Sequence, residues 1–117
     1  MDIVYFREYC LKKKGATEDT PFDANTLCFK VVGKIFAIID IELFGSVNLK
    51  CEPEYAIALR EQFSDILPGY HMSKKHWNTV FFNKSVSDKK ILELVDHSYE
   101  EVVKSLPKKL QQELSNP

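Results

Sequence analysis

The 117-residue sequence lacks several features that mark large classes of protein. Its three cysteines, Cys10, Cys28 and Cys51, are too far apart to form a Cys-x-x-Cys zinc knuckle or redox motif. No apolar run approaches the roughly 20 residues of a membrane span. The segment Met1–Val4 shows no basic leader followed by an apolar region. We therefore expect a cytoplasmic protein with reduced thiols and no membrane segment.

Arginine is scarce, since Arg7 and Arg60 are the only two, and bidentate guanine readout favours arginine. The 16 basic residues are balanced by 17 acidic ones, which argues against a protein that coats nucleic acid by bulk charge. Acidic residues are absent between Asp65 and Asp88, and this window contains Lys74, Lys75 and Lys84. Any polyanion site must therefore depend on local segregation of charge.

The length fits one domain, spanning residues 1–117, that can bury a core without metal or disulfide. Runs of β-forming residues predict strands over roughly 17–22, 27–32, 35–41, 46–50 and 77–82. Helical spacing and end signals predict helices over roughly 2–14, 53–64, 88–105 and 107–114. Together they predict an α+β fold, an antiparallel meander with helices packed on one face.

Three local patterns support this fold. The strand 35–41 is apolar on both faces, which predicts a central position in the sheet. Gly33-Lys34 separates it from the preceding strand and predicts a tight hairpin turn. In the strand 77–82, Trp77, Thr79 and Phe81 should share one face, and Asn78, Val80 and Phe82 the other.

The segment 68–80 is the most unusual part of the chain, with a Pro-Gly turn, a lysine pair, the only tryptophan and two of the three histidines. We interpret it as a cationic, aromatic surface element. A structural interpretation stays open: Trp77 can belong to the core, and lysine stems can pack on aromatic rings while their charges stay in water.

No residue set indicates a reaction. His71 and His76 are five residues apart, so they do not share one helical face, and no carboxylate cluster accompanies them. The cysteine and histidine spacing does not indicate an activated thiolate nucleophile. We predict a non-enzymatic protein with no catalytic residue, no metal ligand and no cofactor.

Four motifs carry a family resemblance. They are the hairpin Val-x-Gly-Lys-x-Phe-Ala at 31–37, Leu-Lys-Cys-x-Pro-Glu at 49–54, Pro-Gly-Tyr-His-Met-x-Lys-Lys-His-Trp at 68–77 and His-Ser-Tyr at 97–99. In this order they resemble the MmcQ/YjbR-like family of small bacterial proteins, over nearly the whole chain. The resemblance implies an architecture similar to CyaY (frataxin). The first helix lacks the acidic ridge that accompanies iron binding in frataxins, so we reject that function.

Members of the family are described as DNA-binding proteins with a double-wing arrangement, and many have no known function. The resemblance implies wings at hairpin tips, with Gly33-Lys34 and the turn around Phe44-Gly45 as candidates. We predict low-specificity binding of double-stranded DNA by the following residues: Lys34, Lys50, Tyr70, His71, Lys74, Lys75, His76, Trp77 and Lys84.

The competing hypothesis is a module that binds a protein or a small anionic ligand. Tyr70, Trp77 and Phe44 would line a cleft, and lysines would hold the anion. The direction of the aromatic side chains discriminates between a core role and a binding surface, because rings that face the helices belong to the core. A monomer is favoured.

Overall fold

The computed structural model describes residues 1–70 and 72–115, and these form four helices and six strands. The helices are α1 (Ile3–Leu11), α2 (Pro53–Gln62), α3 (Asp88–Lys104) and α4 (Lys108–Ser115). The strands are β1 (Ala16–Asp19), β2 (Thr26–Val31), β3 (Lys34–Asp40), β4 (Ser46–Lys50), β5 (Ile66–Pro68) and β6 (Trp77–Phe81). His71 lies outside the described residues, and so does its predicted role.

All strand pairs are antiparallel, and the sheet order is β1-β2-β3-β4-β6-β5. The predicted meander is confirmed for the first four strands, and β3 is central as expected. The sequence prediction missed β5, which follows α2 and forms the far edge of the sheet. Its three residues are too few for a periodic pattern, and Pro68 is tolerated because an edge strand needs fewer ladder hydrogen bonds.

Alternation along the strands separates two faces. Leu27, Phe29 and Val31 of β2 are buried in the main core, whereas Lys30 between them faces the other side. The same rule divides β6 as predicted, since Val80 joins the core and Trp77 does not. The second face carries no packed helix among the described residues, and we call it the open face.

The core face is covered by helices. α3 has a buried stripe at helical spacing, which consists of Ile91, Leu94, Val95, Ser98 and Val102. This helix packs mainly on β3 and β4. Burial of each large aliphatic side chain in the stripe contributes roughly 1.5–3 kcal/mol. α1 packs beside β1 and α2 beside β5, which completes an α+β fold with helices on one face.

Two predicted elements, the first helix and the first strand, were too long. α1 is capped at its start by the Asp2 carboxylate, but it ends at Leu11 rather than near residue 14. The first strand ends at Asp19 rather than near residue 22. The residues that follow form a loop, because the Asp23 carboxylate accepts hydrogen bonds from the backbone N–H of Asn25 and Thr26 at 2.8 Å.

Candidate nucleic-acid interface

The β2–β3 hairpin ends in a two-residue turn, Val32-Gly33, one residue earlier than the sequence suggested. Both residues have positive φ, +49° and +74°, which is the geometry of a type I′ turn. A β-branched residue rarely adopts this conformation, so the backbone at Val32 is strained. Val32 is 47% exposed, and Lys34 is exposed as well. The hairpin therefore presents an apolar tip beside a cation.

Strand direction brings several predicted residues to the same end of the sheet. Lys34 begins β3, Lys50 ends β4 and Trp77 begins β6, and these strands are neighbours that alternate in direction. Lys50 and Trp77 are direct partners across β4 and β6. Lys74 and Lys75 precede Trp77 in the loop 69–76. We call this end, with its four lysines, the basic end.

Backbone contacts hold the two ends of the segment between β5 and β6, at Gly69 and at His76. The Gly69 N–H donates to the Trp77 carbonyl oxygen at 2.8 Å, and the Cys51 N–H donates to the His76 carbonyl oxygen at 2.7 Å. A Cβ atom on Gly69 would lie 2.7 Å from the Trp77 Cβ, which is too close. Glycine at position 69 thus permits the approach of the two strands that frame the loop.

Arg60 on α2 is a loop contact that the sequence did not reveal. Its Nη1 donates to the Lys74 carbonyl oxygen at 3.3 Å and to the Asn78 Oδ1 at 2.7 Å. Asn78 is buried on the core face, so this bond ties the loop to α2. The only sequence signal was a basic residue in the last turn of a helix, which is typical of a solvated cation.

Ser98 of α3 forms hydrogen bonds with two neighbouring strands at the basic end. Its hydroxyl donates to the Phe36 carbonyl oxygen at 2.6 Å and accepts from the Lys50 N–H at 2.9 Å. The hydroxyl thereby bridges β3 and β4 just beyond their last backbone pair, Ala37 with Leu49. The neighbouring His97 Nε2 accepts from the Glu52 N–H at 3.1 Å. The His-Ser-Tyr motif of α3 therefore has a structural role in joining the helix to the sheet.

The lysines of the basic end have no carboxylate partner within residues 1–70 and 72–115. Lys34, Lys74 and Lys75 are exposed, and Lys50 is half-buried. The ion pairs among the described residues involve other cations: Met1 N, Arg7, Lys13, Lys30, Lys90 and Lys104. Positive charge at this end is therefore not neutralised by close contacts inside the described chain.

Lys84 lies elsewhere. It follows β6 and sits at the end of the sheet opposite to Trp77, roughly 16 Å along the strand. Asp65 is nearby, and hydrogen bonds from the Ser85 hydroxyl and N–H, together with the Lys84 ammonium, lower the pKa of this carboxyl group. Asp40 also ends its strand here. This opposite end is the acidic one.

The predicted aromatic residues divide between environments. Trp77 is half-buried on the open face and lies outside the main core. Tyr70 is 71% exposed. Phe44, in contrast, stacks on Phe82 with ring centroids 4.1 Å apart and packs against the core. Its turn lies at the acidic end, so the second candidate wing tip is not beside the first.

The thiols are poor nucleophiles. Cys10, Cys28 and Cys51 are free and buried. Burial raises the pKa of each, that of Cys51 to about 12. Among the described residues, no group of three or more His, Cys, Asp or Glu side chains is placed to hold a metal ion. In the same part of the chain, every helix is too short or too polar to cross a bilayer.

Comparison with known proteins agrees with this fold. A family model described as YjbR matches residues 11–101. The uncharacterized protein YjbR of Escherichia coli K12 is 39% identical over 108 residues, which cover 92% of each chain. The uncharacterized protein YbdF of Escherichia coli O157:H7 is 36% identical over 91 residues, covering 76% of this chain and 74% of YbdF.

Solved structures are similar over the same region. The crystal structure of Deinococcus radiodurans protein DR2400, with the domain DUF419, superposes with a TM-score of 0.89 at 35% identity. The match covers 98% of this chain and 88% of DR2400. A Pseudomonas syringae crystal structure gives a TM-score of 0.72 at 28% identity, covering 86% and 98% of the two chains. With the family motifs in place on this fold, the chain belongs to the YjbR family.

Proposed function

We propose that this chain is a non-enzymatic protein that binds duplex DNA with low sequence specificity through its basic end. The observation that carries the proposal is the set of four lysines, Lys34, Lys50, Lys74 and Lys75, gathered at one end of the sheet without carboxylate partners in the described chain. Phosphates supply most protein–DNA contacts, and unpaired ammonium groups are suited to them.

The spacing of the basic end fits a groove. Lys34 on β3 and the loop beside Trp77 on β6 are two strands apart, roughly 10 Å across the sheet. This is close to the ~12 Å width of the major groove. The hairpin tip and the loop can therefore contact phosphates on the two sides of one groove.

Low specificity follows from the arginines. The Arg7 guanidinium is committed to the Glu18 carboxylate, with its Nε 2.8 and 2.9 Å from the two oxygens. The Arg60 guanidinium is committed to the loop carbonyl and to Asn78. Both guanidinium groups make contacts within the chain, which supports an affinity that comes mostly from lysine contacts with phosphate rather than from bidentate contacts with guanine.

The number of lysine contacts predicts how steeply the affinity for DNA falls with salt concentration. Four phosphate contacts predict a slope of roughly −3.6 in a plot of log affinity against log salt. Affinity should then fall about a hundredfold between roughly 50 and 200 mM salt. We would measure it by fluorescence anisotropy with a labelled random-sequence duplex.

A matched pair of variants tests whether DNA binds at the basic end. Lys74→Glu/Lys75→Glu reverses two charges at the basic end, and Lys84→Glu/Lys89→Glu makes the same change in net charge at the acidic end. The first variant should bind at least about tenfold more weakly than wild type at low salt and show a shallower salt slope. The second should bind within about threefold of wild type. Equal losses in both variants, or no binding by wild type at low salt, would refute the proposal.

A further inference from the structure

The open face leaves large apolar side chains in solvent. Phe22, Leu67 and Tyr70 are 67%, 47% and 71% exposed, and Ile35 and Ile38 are half-buried on the same face. Four of these five residues line a cleft of about 400 Å³. An apolar patch on which no element of the described chain packs is typical of an interface with another protein.

The two central strands of the sheet carry opposite charges at equal distances from the middle of this face. Ile38 of β3 and Asn48 of β4 are direct partners, and we call this pair the middle row. Asp40 lies two residues beyond Ile38, and Lys50 lies two residues beyond Asn48, so both side chains share the open face with the middle row. Because β3 and β4 are antiparallel, the two charges lie at opposite ends of the face, each roughly 7 Å from the middle row.

Neither Asp40 nor Lys50 forms an ion pair within residues 1–70 and 72–115. The Asp40 carboxylate accepts two hydrogen bonds in its own turn, both through Oδ1, so Oδ2 can still accept from a cation. Lys30, a further cation on this face, is paired with Asp19 at 3.1 Å. The two central strands therefore carry one unmatched charge of each sign.

We propose that the open face binds a second copy of this chain, in a dimer whose twofold axis runs along the middle row, across the strands. This rotation reverses the strand direction, so the acidic end of each copy faces the basic end of the other. Asp40 of each copy then lies over β3 of the other copy, beside its Lys50, and this pair occurs twice. The same rotation brings Asp23, which is hydrogen-bonded to Thr26 at the start of β2, toward Lys30 near the end of β2 in the other copy.

The charges select this axis over the other twofold arrangement of the two faces. An axis parallel to the strands would place Lys50 beside Lys50 of the second copy and Asp40 beside Asp40. Like charges set together across an interface weaken association, whereas opposite charges favour it and fix the register. The open face is therefore complementary to itself only when the strands of the two copies run in opposite directions.

The size of the face predicts a weak dimer. Packed sheets lie about 10 Å apart, a gap that an aspartate and a lysine side chain can span together. Six strands of about five residues cover roughly 400 Å², and the exposed rings of Phe22 and Tyr70 extend the contact. A standard interface buries about 800 Å² per partner, so we expect a reversible dimer with a Kd of roughly 10–100 µM. A monomer, which the sequence favours, should dominate below this range.

Complementary charge reversals test the arrangement. Lys50→Glu and Asp40→Lys each create two like-charge contacts in a homodimer, so each variant alone should dimerise at least about tenfold more weakly than wild type. In an equimolar mixture the reversed residue of one chain meets the reversed residue of the other, so a heterodimer should form within about threefold of the wild-type affinity. Sedimentation velocity over roughly 5–500 µM chain at low salt measures these affinities.

Two further variants complete the test. Lys89→Glu makes the same change of charge on α3, which packs on the core face, and should dimerise within about threefold of wild type. Asp40→Asn keeps the acceptor for the turn and removes only the charge. If Asp40→Lys does not fold, as urea unfolding would show, a mixture of Asp40→Asn with Lys50→Glu should still associate more tightly than Lys50→Glu alone.

Three outcomes would overturn the proposal. The first is a wild-type chain that stays monomeric up to about 1 mM at low salt. The second is a mixture of the two charge-reversed variants that associates no more tightly than either variant alone. The third is a loss in Lys89→Glu equal to that in Lys50→Glu. Lys50 also belongs to the basic end, but these measurements contain no DNA, so either proposal can fail while the other holds.

Discussion

Replacing Ser98 by alanine should destabilise the fold far more than the loss of one surface serine would. Ser98 is fully buried, and its hydroxyl serves two backbone groups, the Phe36 carbonyl and the Lys50 N–H. Truncation leaves both groups without this partner in the interior. Each unsatisfied buried group costs about 1–3 kcal/mol, so two such groups predict a loss of roughly 2–6 kcal/mol.

Urea unfolding at neutral pH, followed by tryptophan fluorescence and circular dichroism, measures this loss. The midpoint should fall while the denaturant slope stays unchanged, since the surface exposed on unfolding is the same. Ser105→Ala is the matched control: its hydroxyl bonds only to the Val102 carbonyl oxygen one turn earlier, on an exposed residue. The control should cost less than about 0.5 kcal/mol.

The reasoning would be refuted if Ser98→Ala unfolded within about 0.5 kcal/mol of wild type. That result would mean that water or a backbone shift satisfies both groups. Amide hydrogen exchange at Lys50 gives an independent readout, because its N–H should lose protection in the variant.

Three further predictions concern local structure. Val32→Asn should raise the free energy of unfolding by about 1 kcal/mol, because asparagine tolerates the positive φ of this turn; an unchanged or lowered urea midpoint would contradict it. Gly69→Ala should lower the free energy of unfolding by about 1–3 kcal/mol, because its Cβ would clash with Trp77. Gly45→Ala is the control, since a Cβ at position 45 would meet open space. A melting temperature of Gly69→Ala equal to that of wild type would contradict the clash. The Glu52 carboxylate accepts hydrogen bonds from the first-turn N–H groups of α2, and these bonds lower its pKa from the ordinary 4.5. The contribution of Glu52 to stability is therefore present above pH 4.5 and is lost as the pH falls through the folded-state pKa. Wild type should therefore exceed Glu52→Gln in stability at neutral pH and lose that advantage in acid; a difference independent of pH would contradict it.

Features of the fold that depend on local pattern were predictable. The stripe on α3 repeats at helical spacing over 17 residues, and the apolar run of β3 indicates a strand in the middle of the sheet. Asp2 acts as the N-cap of α1, as its position before the helix indicates, and of the two candidates Ser87 and Asp88 it is Ser87 that caps α3. The strand β5 escaped prediction because its pairing partner is supplied by a later strand rather than by its own three residues.

The site was predictable only in part, because its geometry depends on strand direction. Lys74, Lys75 and Lys84 belong to one acid-free stretch of sequence, yet β6 separates the pair from Lys84, which it carries to the acidic end. Arg60 joins the loop through contacts 14 and 18 residues away in sequence.

The most direct test of the central claim is an amide chemical-shift titration of the ¹⁵N-labelled chain with a short random-sequence duplex at low salt. We predict saturable shifts at Lys34, Lys50 and residues 73–77, with little change at residues 83–89. Shifts centred on residues 83–89, or none that saturate, would contradict the assignment of DNA binding to the basic end.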